Sequence, residues 1–165
     1  MNARSEAVLA TVNPDLADKV RTAAASLEAA GTYLLVVSGL RSAAEQNTLY
    51  AQGRTAPGHV VTNAKAGQSM HNYGLAVDVV PYLSGQSGDL NWKPETDQFN
   101  AMVGAMKAQG LVWGGDWVKF PDDDHFQLPG IPASPNQAMI SDYGSGDQAS
   151  LENIWTNAEN GKYAV

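Results

Sequence analysis

At 165 residues the chain is long enough for one hydrophobic core and short for two, so a single catalytic domain over 1–165 is expected. Apolar residues at 44% against 16% charged exclude disorder as the default state, and a formal charge of −7 works against nucleic acid, whose binding relies on basic side chains releasing counterions. The absence of cysteine excludes disulfide frameworks, thiolate nucleophiles and cysteine zinc fingers, leaving His, Asp and Glu as the possible metal donors.

Asn13-Pro14-Asp15 reads as a helix start, with a capping side chain, a ring suited to the first helical position and an acid in the first turn. Leu16, Val20, Ala23 and Leu27 keep to one face of that helix, and Gly31 ends it. Tyr33 to Val37 is a partly β-branched apolar run of strand length, which puts Arg41 at a strand exit. Ser42-Ala43-Ala44-Glu45 is a capping box opening a short helix through Gln52, closed by Gly53. From Gly53 to Gln68 no period is sustained, so a long loop is expected, and loops of that length in a small domain usually serve function.

Ala76 to Val80 has the character of a second, buried strand, and Pro81 to Pro94 that of another loop. Phe99, Met102, Val103 and Met106 recur at helical spacing before Gly110, and Leu111 to Trp113 is a short strand. His125 to Leu128 makes a last strand ended by Pro129-Gly130, and residues 131–165 form a helical tail expected to pack on the core. Short strands mixed irregularly with helices favour an α+β fold with a small, mostly antiparallel sheet flanked by helices. The N-terminal residues lack the apolar stretch of a secretory signal and no run approaches the ~20 residues that span a bilayer, so synthesis in the cytoplasm without membrane insertion is expected.

Three histidines exist, at 59, 71 and 125, and two of them lie near carboxylates in glycine-flanked segments. His71, Asp78 and His125 offer two imidazoles and a carboxylate, the donor count of a catalytic zinc site that keeps one position open for water.

The pattern Ser69-x-His71-x-x-Gly74-x-Ala76-x-Asp78, with an acid three residues before His125, resembles the signature of the LAS metallopeptidases. These include D-Ala-D-Ala carboxypeptidases and the L-alanyl-D-glutamate peptidases found as phage endolysins. Ser38-Gly39-Leu40-Arg41, Gln46, Leu49 to Arg54 and Trp113-Gly114-Gly115-Asp116-Trp117 also resemble the endolysin branch, and the likeness covers roughly residues 30 to 130.

This resemblance implies a hedgehog/DD-peptidase-like fold and one zinc ion on His71, Asp78 and His125. It implies Asp122 as catalytic base, with Asp123 as the alternative because residues two apart share a strand face with His125; the unchosen acids of the Asp122-Asp123-Asp124 run would form a solvated turn. Arg41 would stabilise the oxyanion, while zinc lowers the pKa of bound water and polarises the scissile carbonyl. Ser69 and Gln46 are the expected substrate-binding residues, the first also readable as a loop cap and the second as a surface glutamine. His59 is expected as an exposed loop residue, and Trp113 and Trp117 either wall a groove or join the core.

The implied reaction is hydrolysis of the L-Ala to D-Glu bond of the peptidoglycan stem peptide by a monomeric endolysin released through a holin. The alternatives are removal of terminal D-Ala, for which Arg54 or Lys65 would have to grip a carboxylate, and a non-catalytic wall-binding module with a structural zinc. Asp122 and Arg41 argue against the last, since a closed structural site needs neither. The net acidity offers no attraction to an anionic envelope, so activity on intact cells from outside should be weak.

Overall fold

A computed structural model describes residues 1–84, 88–93 and 95–164. The chain falls into two compact units, Met1–Gly39 with Ala76–Pro129, and Leu40–Leu75 with Gly130–Val165.

The first unit is built on a sheet. Its strands are β1 (Leu34–Ser38), β2 (Ala76–Pro81), β3 (Val112–Trp113) and β4 (His125–Gln127), in the order β1-β2-β4-β3. All three pairings are antiparallel, as expected, with Leu35 opposite Val80, Asp78 opposite His125 and Trp113 opposite Phe126. Because side chains alternate across a strand, Asp78, His125 and Gln127 share one face while Val77, Val79 and Phe126, all fully buried, take the other.

The helices of this unit are α1 (Ala3–Leu9), α2 (Pro14–Ala29) and α4 (Asp97–Ala108). The buried stripes Leu16, Val20, Ala23, Leu27 and Phe99, Met102, Val103, Met106 follow the expected periodicity, and α4 packs on both α2 and β2. Asn13 caps α2 by accepting from the Leu16 N–H at 3.2 Å. The sequence reading did not anticipate α1. Its apolar period is too short to register, but the buried Ser5 hydroxyl accepts from the Val36 N–H at 3.1 Å and so occupies a donor on the edge strand β1.

The second unit holds α3 (Ala43–Ala51), a 3-10 turn (Met70–Tyr73), α5 (Gln137–Tyr143) and α6 (Gln148–Glu159). The capping box at Ser42 and Glu45 is present in both directions. The tail is anchored on the 3-10 turn: the Trp155 indole N–H donates to the Tyr73 carbonyl at 2.8 Å, and the Tyr73 and Tyr143 rings lie 5.0 Å apart. In the expected loop from Pro81 to Pro94, residues 85–87 and 94 lie outside the described residues, while Tyr82 bridges Leu90 in antiparallel fashion. Among the described residues no helix is long and apolar enough to cross a membrane.

Candidate metal centre

Asp78 and His125 reach the same place because β2 and β4 pair them in register. Asp78 Oδ1 lies 3.5 Å from His125 Nδ1, too long for a good hydrogen bond. It is close to the spacing of about 3.3–3.4 Å between two donors that sit ~2.0–2.1 Å from one tetrahedral ion. His125 is buried, its ring tilts against Trp117 at 5.0 Å, and its Nε2 is 3.2 Å from Gln127 Oε1. Burial opposes charge on the His125 ring, but the adjacent Asp78 carboxylate, the charge of Asp122 and the contact with Gln127 together raise its pKa.

His71 is set by the local fold of its own segment. Ser69 is the N-cap of the 3-10 turn, accepting from the His71 N–H at 3.4 Å, which matches the loop-capping reading of that hydroxyl. Gly74 ends the turn at φ 62°, a left-handed conformation that costs glycine nothing and other residues energy, and Ala76 then opens β2. The spacing of the motif is thus a cap, a turn, a left-handed stop and a strand. His71, Asp78 and His125 each offer one ligand atom, and these atoms all lie within 4.8 Å of one another. Two largely buried imidazoles and a carboxylate, with no sulfur, suit zinc or a neighbouring divalent metal, so the residues present fit one such ion.

The acidic run is not the uniformly solvated turn expected for its unchosen members. Asp122 is exposed and receives its place from Gly114, whose carbonyl accepts from the Asp122 N–H at 3.1 Å. Asp123 is half-buried, and its carbonyl accepts from the Trp113 indole at 2.7 Å. Asp124 departs furthest: its carbonyl accepts from the Val79 N–H at 2.8 Å, which pulls the residue in beside β2. Burial first, then the charge of Asp78 and the hydrogen bond with Asp122, push its carboxyl up to about 8. Sequence reasoning missed this acid because the register of β4 against β2, not the local run, decides which of three aspartates is drawn inward.

Arg41 follows β1 as expected, its N–H donating to the His71 carbonyl at 2.9 Å. Gln46 is fully buried, not a surface glutamine, with Oε1 accepting from Arg41 Nη1 at 3.0 Å and Nε2 donating to the Ala64 carbonyl at 2.7 Å. His59 is exposed, as anticipated, and Trp113 and Trp117 are half-buried.

A family model described as D-alanyl-D-alanine carboxypeptidase matches residues 62–128. The chain is 39% identical over 119 residues to the peptidoglycan L-alanyl-D-glutamate endopeptidase CwlK of Bacillus subtilis (strain 168), a match that covers 68% of each protein. The chain belongs to this peptidase family. Among other members it is 28% identical over 125 residues to the L-alanyl-D-glutamate peptidase of Listeria phage A118, covering 73% of the chain and 40% of that longer protein. The crystal structure of the Serratia marcescens L-Ala D-Glu endopeptidase ChiX superposes with a TM-score of 0.52 at 29% identity, covering 78% of this chain and 88% of that one. The family match includes His71, Asp78, Asp122 and His125, and leaves out Arg41, Gln46 and the tail.

Proposed function

We propose that the chain is a zinc-dependent endopeptidase that hydrolyses the L-Ala to D-Glu bond of the peptidoglycan stem peptide. The observation that carries this reading is the 39% identity to an L-alanyl-D-glutamate endopeptidase in a chain that also presents a His–Asp–His donor group.

His71, Asp78 and His125 would hold the ion, which when bound supplies Lewis acidity toward a water and the scissile carbonyl. Asp122 takes the proton of the attacking water and returns it to the departing amine of D-Glu, leaving a carboxylate on L-Ala. Its choice over Asp123 follows the resemblance, which sets the acid three residues before His125, and Asp122 is the more exposed of the two. Arg41 donates to the oxyanion, and a guanidinium keeps its charge throughout. Ser69 and Gln46 support the site, Ser69 from beside His71.

Removal of terminal D-Ala is the second reading, favoured by the description of the family model. It needs a cation to grip the free carboxylate. Arg54 is already engaged, donating to the carbonyls of Tyr50 and Thr62 and to Asn63 Oδ1 at 2.7 to 2.9 Å, and Lys65 Nζ stands 5.4 Å from the centroid of the Tyr50 ring, which together support the endopeptidase. The chain is read as one catalytic domain over 1–165, because its length suits a single hydrophobic core. Of the relatives named, the bacterial enzyme is more similar than the phage one, so wall turnover in a bacterium fits as well as holin-dependent host lysis.

Digestion of purified peptidoglycan tests the reading. Wild type should generate stem peptides with new N-terminal D-Glu, and chelator or His125→Ala should abolish them. Release of free D-Ala would move the enzyme to the carboxypeptidase reaction, and a folded, zinc-loaded sample that cuts nothing would refute both.

A further inference from the structure

The amide of Gln46 joins two parts of the second unit that lie far apart in sequence. Its oxygen accepts from the Arg41 guanidinium at 3.0 Å, and its nitrogen donates to the Ala64 carbonyl, in the long loop after α3, at 2.7 Å. The side chain has no solvent exposure, and each end of its amide has a protein partner. A carboxamide suits this place because one planar group both accepts and donates. A glutamate would turn a lone pair on the Ala64 carbonyl, and a cation would repel Arg41.

The loop that Gln46 reaches is itself docked on α3 and on the 3-10 turn. Arg54 holds Thr62 and Asn63, the Ala66 N–H donates to Asn47 Oδ1 at 3.1 Å, and the Gly67 N–H donates to Asn72 Oδ1 at 2.9 Å. Asn72 also donates to the Arg41 carbonyl at 2.8 Å. The main chain of Arg41 is therefore tied to the turn that carries His71, and its guanidinium to the docked loop through Gln46.

We infer that Gln46 is a positioning residue: it holds the Arg41 guanidinium in a direction set by the docked 62–67 segment. This rests on the reading of Arg41 as the oxyanion donor. Arginine has many rotamers, and a donor misplaced by about 1 Å can cost on the order of 100-fold in rate, so a buried acceptor that selects one rotamer preorganises the site.

The test is a double-mutant cycle on peptidoglycan cleavage, with zinc content and hydrogen exchange measured alongside. Gln46→Leu should lower kcat by roughly 10- to 100-fold with little change in KM, leave zinc content at wild type, and speed exchange at the Ala66 and Gly67 amides. In an Arg41→Ala background the same substitution should cost nothing further, because its effect passes through Arg41. Gln46→Glu keeps an acceptor for Arg41 and loses the donor to Ala64. It should loosen the loop and also lower kcat, and it serves as the variant of record if Gln46→Leu does not fold. Losses that add in the double variant would overturn the inference, as would wild-type kcat in a Gln46→Glu protein whose loop exchanges faster. A wild-type kcat for Arg41→Ala alone would instead overturn the role of Arg41, and the inference with it, without reference to any Gln46 variant.

Discussion

At Gly114 a missing side chain lets two segments of the site come together. A Cβ built there meets the Asp122 carbonyl oxygen at 2.6 Å and the His125 Cβ at 3.0 Å, and the Gly114 carbonyl accepts from the Trp117 and Asp122 N–H groups. The glycine lets the turn at 114–116 lie directly against the segment that carries the proposed base and a proposed ligand. Gly114→Ala should therefore destabilise the fold by about 1–3 kcal/mol through overpacking against backbone, and weaken zinc binding with it. Chemical denaturation and zinc titration read the two effects, and a variant with unchanged zinc affinity would show that the turn is only scaffolding. Asp122, Asp123 and Asp124 are identical in local composition, yet one is exposed, one lends its carbonyl to Trp113, and one, half-buried beside β2, has a carboxyl pushed up to about 8. Strand register separates them, and register is not written in three consecutive aspartates.

Individual elements were more legible than individual side chains. The starts of α2 and α3 carry their own capping chemistry at Asn13 and Ser42, and both helices begin where those residues place them. The Ser42 N–H donates to Glu45 Oε2 at 2.8 Å, while Ser42 Oγ accepts from the Glu45 N–H at 3.2 Å. Ser42→Ala should cost about 1 kcal/mol in denaturant melts near neutral pH. Hydrogen bonds from the Ser42 side chain and backbone hold the Glu45 pKa below its ordinary value. A depressed carboxylate stabilises above its unfolded pKa and loses that contribution as the pH falls through the folded one, so the gap between variant and wild type should narrow in acid. A gap that stays constant with pH would assign the cap to the hydroxyl alone. α1 was illegible for the opposite reason, since its purpose is to cover the β1 edge, a contact of 31 residues in sequence between Ser5 and Val36. The long loop after α3 was recognised as a loop, but its docking by Arg54, Asn47 and Gln46 was not, because side chains that bond loop backbone leave no periodic trace.

At the scale of the whole molecule, the sequence marks the C-terminal tail as helical without showing what closes it. Its anchor is Asp142, whose Oδ2 accepts from Lys162 Nζ at 2.7 Å, the Tyr163 hydroxyl at 2.6 Å and the Asn157 amide at 3.2 Å. Tyr163 is buried, and burial together with Asp142 pushes its pKa up to about 12. Asp142→Asn should cost about 1–2 kcal/mol at neutral pH by removing a charged acceptor from a buried hydroxyl. The hydrogen bond from Lys162, then that from Tyr163, lowers the Asp142 pKa. Its contribution is thus present above the ordinary aspartate value and lost as the pH falls through the lower folded value. Thermal melts of wild type and variant should converge at strongly acidic pH; equal melts at pH 7 would show that the tail is held by its apolar contacts and the Trp155 bond instead.

The sequence by itself determined the α+β class, the main helices and strands, the exclusion of thiol chemistry and a candidate donor set, because each of these rests on short-range patterns: periodicity, caps, glycine stops and a spaced motif. It also carried the family, since the residues of the motif stand at characteristic separations. The tertiary structure alone decided which acid of the run is bonded in beside β2, that Gln46 lies inside and faces Arg41, that α1 guards the sheet edge, and that the tail closes on Asp142. Those outcomes depend on strand register and on hydrogen bonds between residues distant in the chain, and a linear pattern holds no record of either.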